Sequence, residues 1–406
     1  MRARRLLFVG EFPPSNHHGG AILVRRLLEE HPAGCLTVIT SKRGVEHSKG
    51  MDLLKCRHIA FPILCGTRHP WFRKIGNCLS LGGVAFTATQ EMRRQRMEAV
   101  ITIIQARYYF AAALASWVTG TPLIAIVHDN VFSSHVGGGK FLAMRRRWTK
   151  AVLQHAAHIY VVSPEMQRLV FAECGREAEI QLPSTAMSAR EAAGELNFIS
   201  LGRPVILFAG TVGYTVRDSL DLLANLIATG KLQEYGMPTA KLHLCTSMTD
   251  AEIRKHGWDR PGIVAKGWLS QSELAEEFSS ADILFLPYSF STNSREAVKA
   301  AFPSKAADYL AAGKPIVVFG PKNSSLVRYA SEQGFAEVVD EFSEAALACG
   351  IQKVAFSPSY REKLAARALE VFSVNHDIEY QRNKFYLTLD RIMCASEEVT
   401  SPEAWH

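Results

Sequence analysis

The feature that most constrains the fold of this chain is a regular alternation of short apolar runs with longer stretches of helical period. The runs occupy residues 6–9, 36–40, 99–104, 123–127 and 159–162 in the first half, and 205–209, 242–246, 263–265, 283–286, 316–319 and 336–339 in the second. Such runs, apolar at consecutive positions, are typical of strands in a parallel sheet that helices cover on both faces. The alternation therefore predicts an α/β protein built from parallel sheets.

A break in this alternation divides the chain. Small and polar residues replace it at 185–203, where we place a domain boundary. Two domains are expected in any case, because 406 residues exceed the roughly 250 to 300 at which a single hydrophobic core stops growing. The sequence predicts two doubly wound, Rossmann-like domains at residues 1–190 and 200–375, and a helix at 376–395 that returns to the first domain.

The longest uncharged stretch, residues 108–127, is nominally long enough to cross a membrane. Its middle, Thr-Gly-Thr-Pro at 119–122, would end a helix and open a β-branched run. We therefore predict a buried helix near 107–117, then a turn, and then a buried strand at 122–128.

The cysteines indicate the compartment. Eight are scattered through the chain, with no C-x-x-C pair and no Cys/His spacing suited to zinc. The apolar run near the N-terminus is too short for the core of a signal peptide. Because scattered cysteines of this kind are typical of free thiols in a reducing compartment, we expect a cytoplasmic protein.

Charge is unevenly divided between the two halves. Residues 1–200 contain 25 Lys and Arg against 14 Asp and Glu, whereas residues 201–406 contain 21 against 25. The basic half predicts an anionic partner, although an uneven solvated surface is the alternative. Basic clusters at 69–74, 92–96 and 145–148, two of which contain aromatic residues, suit an anionic membrane surface, and a solvated helix face is the alternative for each cluster taken singly. Because the positive charge is confined to this half, we favour the membrane surface. No recognised nucleic-acid-binding module appears, so no nucleic acid partner is expected.

Open parallel sheets bind ligands at the carboxyl ends of their strands. In the first half, Gly19 and Gly20 precede a helix, where free backbone N–H groups could bind an anion; a simple turn is the alternative. His128 follows a predicted strand, next to Asp129 and Asn130, which could either face a ligand or cap a turn. No G-x-G-x-x-G sequence occurs, which argues against a dinucleotide site.

The second half contains two further candidate loops. Thr211 and Arg217 lie in a glycine-containing loop before a helix, which is not a Walker A sequence but could hold a phosphate. Ser304 and Lys305 lie at the start of another helix and add donors and positive charge there. Asp308 follows one turn later, where its carboxylate could accept hydrogen bonds from sugar hydroxyls.

Taken in order, these segments resemble the GT-B glycosyltransferases, and most closely the retaining group called glycosyltransferase family 4. The resemblance covers essentially the whole chain and is carried by residues 12–14 with Gly19-Gly20, Ser163-Pro164, 267–270 with Glu273-Leu274, 281–287, and 302–305 continuing to Lys314-Pro315. It implies two Rossmann-like domains that face each other across a cleft, the GT-B arrangement. A nucleotide-diphosphate sugar would be held mainly by the second domain.

The resemblance also implies a role for each candidate residue. Asp308 would bind the ribose, Ser304 and Lys305 the diphosphate, and the turn of Lys266 and Gly267 would lie near the base. Gly19 and Gly20 would approach the donor phosphate, and His128 would sit beside the transferred sugar. The phosphate clamp of the family appears here as Thr211 and Arg217.

One signature residue of the family is missing. The family pairs two glutamates eight positions apart, and counting back from Asp308 reaches Ala300. Glu296 or Asn293 from the same loop would substitute for the first glutamate near the donor sugar, and we name Glu296 with His128 as catalytic candidates. The loss also favours an alternative, a catalytically degenerate GT-B protein that binds a nucleotide sugar or a partner transferase.

The sequence contains no D-x-D, so we expect a metal-independent enzyme with no cofactor beyond its donor substrate. The acceptor is expected to bind the basic first domain. A lipid-linked or polysaccharide precursor in cell-surface glycan synthesis, at the inner face of the cytoplasmic membrane, would suit that domain. A nucleotide-sugar epimerase of the same fold would require acid and base residues that the sequence does not reveal.

Overall fold

A computed structural model describes residues 3–16, 19–48, 53–62, 70–133, 140–187 and 203–400 of the chain. The chain forms two compact units. Unit 1 consists of Met1–Leu182 with Ile378–His406, and unit 2 of Pro183–Asp377. Residues 188–202, which make up most of the predicted boundary, lie outside the described residues, as do His69 and the glycines at 137–139.

Each unit contains one parallel sheet. The seven strands of unit 1 have the order β3-β2-β1-β4-β5-β6-β7, and the six strands of unit 2 the order β10-β9-β8-β11-β12-β13. The strands are β1 (Leu6–Val9), β2 (Leu36–Ser41), β3 (Arg57–Phe61), β4 (Ala99–Ile103), β5 (Leu123–Val127), β6 (His158–Val161), β7 (Glu179–Ile180), β8 (Val205–Ala209), β9 (Lys241–Cys245), β10 (Ile263–Ala265), β11 (Ile283–Pro287), β12 (Ile316–Phe319) and β13 (Ala336–Val339). The prediction of two doubly wound parallel sheets is confirmed.

The helices connect these strands. They are α1 (Gly19–Leu28), α2 (Lys42–His47), α3 (Pro70–Arg94), α4 (Tyr108–Thr119), α5 (Lys140–His155), α6 (Pro164–Cys174), α7 (Arg217–Ala228), α8 (Asp250–Lys255), α9 (Gln271–Ser280), α10 (Arg295–Ala300), α11 (Lys305–Ala311), α12 (Ser325–Gln333), α13 (Glu344–Phe356), α14 (Pro358–Asn375) and α15 (Ile378–Thr400). Short 3-10 helices lie at Ala33–Cys35 and Lys231–Tyr235. Among the described helices, none is both long and apolar enough to span a membrane.

Two strands of unit 1 were not predicted, and both lie at the edges of its sheet. β3 is partly exposed along its whole length, and β7 has only two residues. The apolar runs that identify the inner strands depend on burial on both faces, which an edge strand lacks. The inner strands β1, β4 and β5 are fully buried.

Crossover handedness assigns the helices of unit 1 to two faces. The connections from β3 to β6 all advance in one direction along the sheet, so right-handed crossovers place α3, α4 and α5 together on one face. The connections from β1 to β3 run the other way and place α1 and α2 on the opposite face. Contacts of α3 with α4, and of α4 with α5, agree with this assignment.

The last helix, α15, packs against α1 within unit 1. The Arg382 guanidinium donates to the carbonyl oxygen of Arg26 over 2.9 Å and forms an ion pair with Glu30. His31 Nδ1 lies 2.9 Å from the Tyr386 hydroxyl. These contacts tie the two chain segments of unit 1 together.

The C-terminal region is not one continuous helix, because the chain changes direction between α14 and α15. His376 is fully buried there, with Nδ1 2.6 Å from the carbonyl oxygen of Pro183 and Nε2 2.9 Å from the Tyr329 hydroxyl. Asp377 forms a parallel bridge with Thr185. These contacts break the helical hydrogen-bond ladder and place the beginning and the end of unit 2 side by side.

The prediction for the uncharged stretch was right about the turn and the strand but wrong in part about the helix. Gly120, at φ +71°, ends α4 in the left-handed conformation, and the buried strand β5 follows. Helix α4 is not buried all round, because Leu114 is 49% and Trp117 45% exposed. An uncharged sequence cannot show which side of a helix lacks a covering layer.

Candidate functional site

In unit 1, Gly20 and His128 are in direct contact. A Cβ built on Gly20 would lie 2.7 Å from Cε1 and 2.8 Å from Nδ1 of His128. Gly20 belongs to the first turn of α1, and His128 follows the last residue of β5. Gly20 therefore does more than form a turn, because the absence of its side chain lets the imidazole lie against the helix backbone.

The two ring nitrogens of His128 have different surroundings. Nε2 lies 3.0 Å from Oδ2 of Asp129, while Nδ1 is buried and has no hydrogen-bond partner among the described residues. Asn130 makes the local turn that the sequence left open, because its side chain accepts a hydrogen bond from the Phe132 N–H over 3.1 Å. Thus Asp129 orients the histidine and Asn130 shapes the loop.

A second polar group lies at the same edge of this sheet. Glu11 follows β1, and its Oε1 lies 3.4 Å from the Arg107 guanidinium. Ala106 precedes that arginine in the left-handed conformation at φ +54°, which a non-glycine residue adopts only when its surroundings enforce it. Oε2 of Glu11 is buried and unpartnered among the described residues. The sequence analysis did not identify Glu11 or Arg107.

In unit 2, Lys305 extends from the start of α11 over the carboxyl end of β8. Its Nζ lies 3.8 Å from the centroid of the Phe208 ring and 3.2 Å from the position that a Cβ of Gly210 would take. Gly210 has φ +138°, which also favours glycine. In the described part of the chain, no Asp or Glu forms an ion pair with this ammonium group.

Desolvation changes the protonation of Lys305. The side chain as a whole is half-buried, but enough protein surrounds the ammonium group to lower its pKa to about 7. A cation without a counter-ion in such surroundings is costly, and an anionic ligand would remove that cost. The position is therefore suited to an anion.

Tyr309 holds Lys305 in place. It lies one turn further along α11, on the same side, and its hydroxyl accepts a hydrogen bond from the Ala209 N–H over 2.7 Å. The same hydroxyl donates to the carbonyl oxygen of Phe285, 3.3 Å away. Tyr309 is fully buried and thus fastens α11 to the ends of β8 and β11. Sequence reasoning missed this residue because a tyrosine inside an apolar helix resembles ordinary core.

The loop after β8 is tied to the loop after β11. Oδ2 of Asp218 accepts hydrogen bonds from the N–H groups of Phe290 and Ser291, at 2.9 and 3.1 Å. The predicted clamp residues are both exposed, Thr211 in the first of these loops and Arg217 as the first residue of α7. Arg217 lies 3.6 Å from Asp221, a surface pair that leaves the guanidinium available to a ligand.

The side chain of Lys266 is held by an acidic residue of α9. Its Nζ lies 2.8 Å from Oε1 of Glu277, whose Oε2 lies 3.1 Å from Nδ1 of His243. Burial raises the pKa of Glu277, but hydrogen bonds from Lys266 and His243 outweigh it and lower the pKa overall. Gly267 follows in the left-handed conformation at φ +75°. The side chain of Lys266 thus fastens the turn after β10 to α9.

The remaining candidates lie on α10 and α11. Ser304 precedes α11 without making a side-chain cap, and Asp308 is half-buried in its first turn. Glu296 is exposed on α10. Ala300, at the position of the missing glutamate, is buried at the end of α10.

Thr246 is a further polar residue that sequence reasoning missed. It follows β9, adjacent in the sheet to β8, and its buried hydroxyl has no partner among the described residues. Buried hydroxyls are nearly always hydrogen-bonded, so this one is a candidate ligand contact. The only feature of the sequence that could have identified Thr246 is its position directly after a predicted strand.

Among the residues that the structure describes, no group of three His, Cys, Asp or Glu side chains is arranged to hold a metal ion. The described cysteines, Cys35, Cys56, Cys174, Cys245, Cys349 and Cys394, are all free.

Comparison with protein families identifies both halves of the chain. Residues 25–182 match the model of a glycosyl transferase 4-like domain, and residues 203–356 match that of the glycosyl transferases group 1. The chain is a GT-B glycosyltransferase. The unit 2 candidates of this glycosyltransferase, Lys305 and Asp308 among them, lie inside the second match, and His128 lies inside the first. Gly19 and Gly20 precede the first match.

Solved structures share the fold of this glycosyltransferase at low sequence identity. Sucrose-phosphate synthase from Thermosynechococcus elongatus is 15% identical with a TM-score of 0.66, over 97% of this chain and 100% of that one. Anabaena HepE in complex with UDP and glucose is 13% identical with a TM-score of 0.66, over 95% and 99%. A glycosyltransferase from Rickettsia africae is 12% identical with a TM-score of 0.64, over 96% and 98%. A search of curated proteins found no match.

Proposed function

We propose that this glycosyltransferase transfers a sugar, with retention of anomeric configuration, from a nucleoside-diphosphate sugar to a lipid-linked or polysaccharide precursor. The observation that carries the donor assignment is the position of Lys305. Its ammonium group, which no Asp or Glu of the described residues pairs, lies beside Gly210, where the absence of a side chain leaves room for the lysine at the carboxyl end of β8. The fold relative HepE, which is described with UDP and glucose, makes UDP-sugars the first donors to test.

The diphosphate is the part of the donor that this position suits best. A phosphate oxygen beside Lys305 would form a charge-assisted hydrogen bond and supply the counter-ion that the ammonium group lacks. Thr211 and Arg217 follow in the same loop and would add a hydroxyl and a second positive charge. Asp308, three residues after Lys305 on α11, would accept hydrogen bonds from the ribose hydroxyls.

Transfer of the sugar leaves negative charge on the departing diphosphate. In this proposal Lys305 and Arg217 stabilise that charge in place of a metal ion, and the enzyme needs no cofactor beyond its donor. Gly20 and His128 of unit 1 contact the sugar that is transferred, and the unpartnered Nδ1 of His128 is the polar atom offered to it. Glu296 is the carboxylate proposed to substitute for the missing glutamate.

The acceptor is proposed to bind unit 1. The strong excess of Lys and Arg in residues 1–200 supports an acceptor presented at an anionic surface. The inner face of the cytoplasmic membrane, where lipid-linked glycan precursors are assembled, offers such a surface.

Thermal shift measurements test the donor assignment. UDP, GDP, ADP and their glucose conjugates are each added to the full chain, because a ligand that binds the native state raises its melting temperature. We expect one nucleotide series to raise it in the wild type and to do so much less in Lys305→Met. Lys322→Met, which removes an exposed lysine elsewhere in unit 2, is the matched control. A melting temperature that no nucleotide changes would refute the donor assignment.

The burial of Ala300 favours a second possibility, a GT-B protein that has lost transfer and binds a nucleotide sugar or a partner transferase. Incubation with the nucleotide sugar that binds separates the two. Slow hydrolysis of the donor, or transfer to an acceptor, supports the enzyme. Donor binding without either reaction supports the degenerate form.

A further inference from the structure

Helix α4 has no charged residue, and yet one side of it faces solvent. Leu114, Trp117 and Val118 are 49%, 45% and 53% exposed, while small alanines face the interior of unit 1. A helix at the surface of a globular protein ordinarily carries polar residues along its outward side. The outward side of α4 is apolar instead.

The two neighbouring helices extend this apolar surface. Leu79 and Phe86 on α3 are 64% and 63% exposed, and Met144 and Trp148 on α5 are 51% and 52% exposed. We refer to these residues as the α3–α5 face: Leu79, Phe86, Leu114, Trp117, Val118, Met144 and Trp148.

Helix α4 is packed firmly between its neighbours. The Thr119 hydroxyl lies 3.3 Å from the sulfur of Met92 on α3, and the Trp117 ring centroid lies 4.9 Å from that of His155 on α5. The outward side chains of three adjacent helices therefore form one surface, which is larger than the isolated apolar residues of an ordinary protein exterior.

The three helices carry mostly positive charge, and Glu173 of the neighbouring α6 forms an ion pair with Arg146 of α5. Helices α3, α4 and α5 together contain nine Lys and Arg but a single acidic residue, Glu91. Glu91 is buried, and its carboxylate lies 2.7 Å from Arg57. No carboxylate of these three helices therefore faces solvent, whereas Arg93, Arg94, Arg147 and Lys150 are exposed.

We propose that the α3–α5 face docks onto an anionic lipid bilayer. Its aromatic and aliphatic side chains would enter the headgroup region while the surrounding Arg and Lys bind acidic lipids, the combination by which peripheral helices lie on a membrane. A second copy of the chain is a poorer occupant, because it would bring two surfaces of the same positive charge together. Among the described residues, none of the three helices is long and apolar enough to span a bilayer.

This inference deepens the proposed function by naming the surface that brings unit 1 to a lipid-linked acceptor. It rests on the proposed function only for the identity of the acceptor. Docking onto the bilayer itself does not depend on binding of the nucleotide sugar. The three helices already form one layer on the sheet, so binding to a bilayer would require no rearrangement of the described residues.

Vesicle sedimentation tests the proposal with the full chain. Vesicles of phosphatidylcholine with 30% phosphatidylglycerol are compared with vesicles of phosphatidylcholine alone, at about 0.1 M salt. We expect binding to the anionic vesicles and a loss of roughly fivefold in partition coefficient per basic residue removed, or about 25-fold in the double variant Arg147→Gln/Lys150→Gln. The matched control Lys322→Gln/Lys363→Gln removes two exposed lysines from unit 2 and should bind as the wild type does.

The apolar contribution is tested separately with Leu114→Ser/Trp148→Ser against the control Val374→Ser/Leu387→Ser, which replaces exposed apolar residues outside the face. If only Leu114→Ser/Trp148→Ser binds the anionic vesicles more weakly, the result supports insertion of the α3–α5 face into the headgroup region. Absence of binding to anionic vesicles, equal binding in all variants, or a dimer that forms through these residues would overturn the proposal. Thermal shift with nucleotides in the same samples keeps the two proposals apart, because vesicle binding without nucleotide binding refutes only the donor assignment.

Discussion

A methyl group at position 20 cannot coexist with the observed position of His128, because the Cβ would lie 2.7 Å from Cε1 of the ring. The clash involves a half-buried imidazole that Asp129 also holds through its other nitrogen. Glycine at this position is therefore required by the contact with the histidine.

Replacing Gly20 with alanine should displace the ring of His128 and lower kcat/KM by about 10- to 100-fold, because shifts of about 1 Å in a reacting group are costly. Steady-state transfer kinetics provide the measurement. Gly34→Ala is the control, since nothing lies within 4 Å of its Cβ position. Equal activity in the two variants would show that His128 has no role in transfer.

Lys305 is expected to dominate the affinity for the donor diphosphate. Lys305→Met should weaken nucleotide binding by about 10- to 100-fold, the range for a lost hydrogen bond to a charged group. Titration calorimetry measures this, and circular dichroism checks that the fold is retained. A Kd that stays within twofold of the wild type would place the diphosphate elsewhere.

The same lysine should make donor binding depend on pH. Burial lowers the pKa of Lys305 to about 7 in the free protein, and the bound diphosphate requires the protonated form. Affinity should therefore be highest below pH 7 and fall as pH rises, by up to tenfold per unit. A nucleotide sugar is the appropriate probe, since its esterified diphosphate does not titrate in this range.

In Lys305→Arg, the guanidinium keeps its charge at every pH of the measurement, so the decline above pH 7 should disappear. A decline of the same steepness in both proteins would assign it to another group.

Asp308 is expected to distinguish ribose from deoxyribose. Asp308→Ala should weaken binding of the ribonucleotide by about tenfold or more and remove the preference over the 2′- and 3′-deoxy analogues. Competition binding gives both values. If the variant keeps the full preference, another residue reads the ribose.

The buried His376 should make unit 2 sensitive to acid. Burial lowers its pKa to about 4, below the ordinary 6.5, so the unfolded chain binds more protons between these values. The stability that this residue provides is present above pH 6.5 and is lost as pH falls towards 4, by about 3 kcal/mol in total. Thermal unfolding of His376→Gln should show a weaker dependence on pH in this window. Parallel profiles for variant and wild type would contradict the assignment.

The sequence predicted the fold well because inner strands of parallel sheets are recognisable by their consecutive apolar residues. The strands at 6–9, 123–127 and 205–209 matched residue for residue, whereas the exposed edge strand β3 escaped notice. The site was harder to predict. Lys305 was identified by its place in a motif. Its contact with Gly210, however, joins positions 95 residues apart, and the local pattern of apolar residues does not reveal contacts between distant positions.

Other parts of the site had no local signal at all. Tyr309 and Asp218 act by tying separate strand ends together, and the pairing of Lys266 with Glu277 appears only when β10 and α9 are in place. Residues that position a ligand-binding group are selected by three-dimensional neighbours, so their sequence surroundings resemble those of any core or surface residue.

The discontinuity of unit 1 has a consequence for synthesis of the protein. The contact between Arg26 and Arg382 joins positions 356 residues apart, and translation at about 5 to 20 residues per second takes about 20 to 70 s to supply the later partner. Unit 2, one continuous segment, emerges in full before α15 does. The domain that the ribosome makes first is thus completed last, and a prematurely terminated chain would present α1 uncovered to chaperones and proteases.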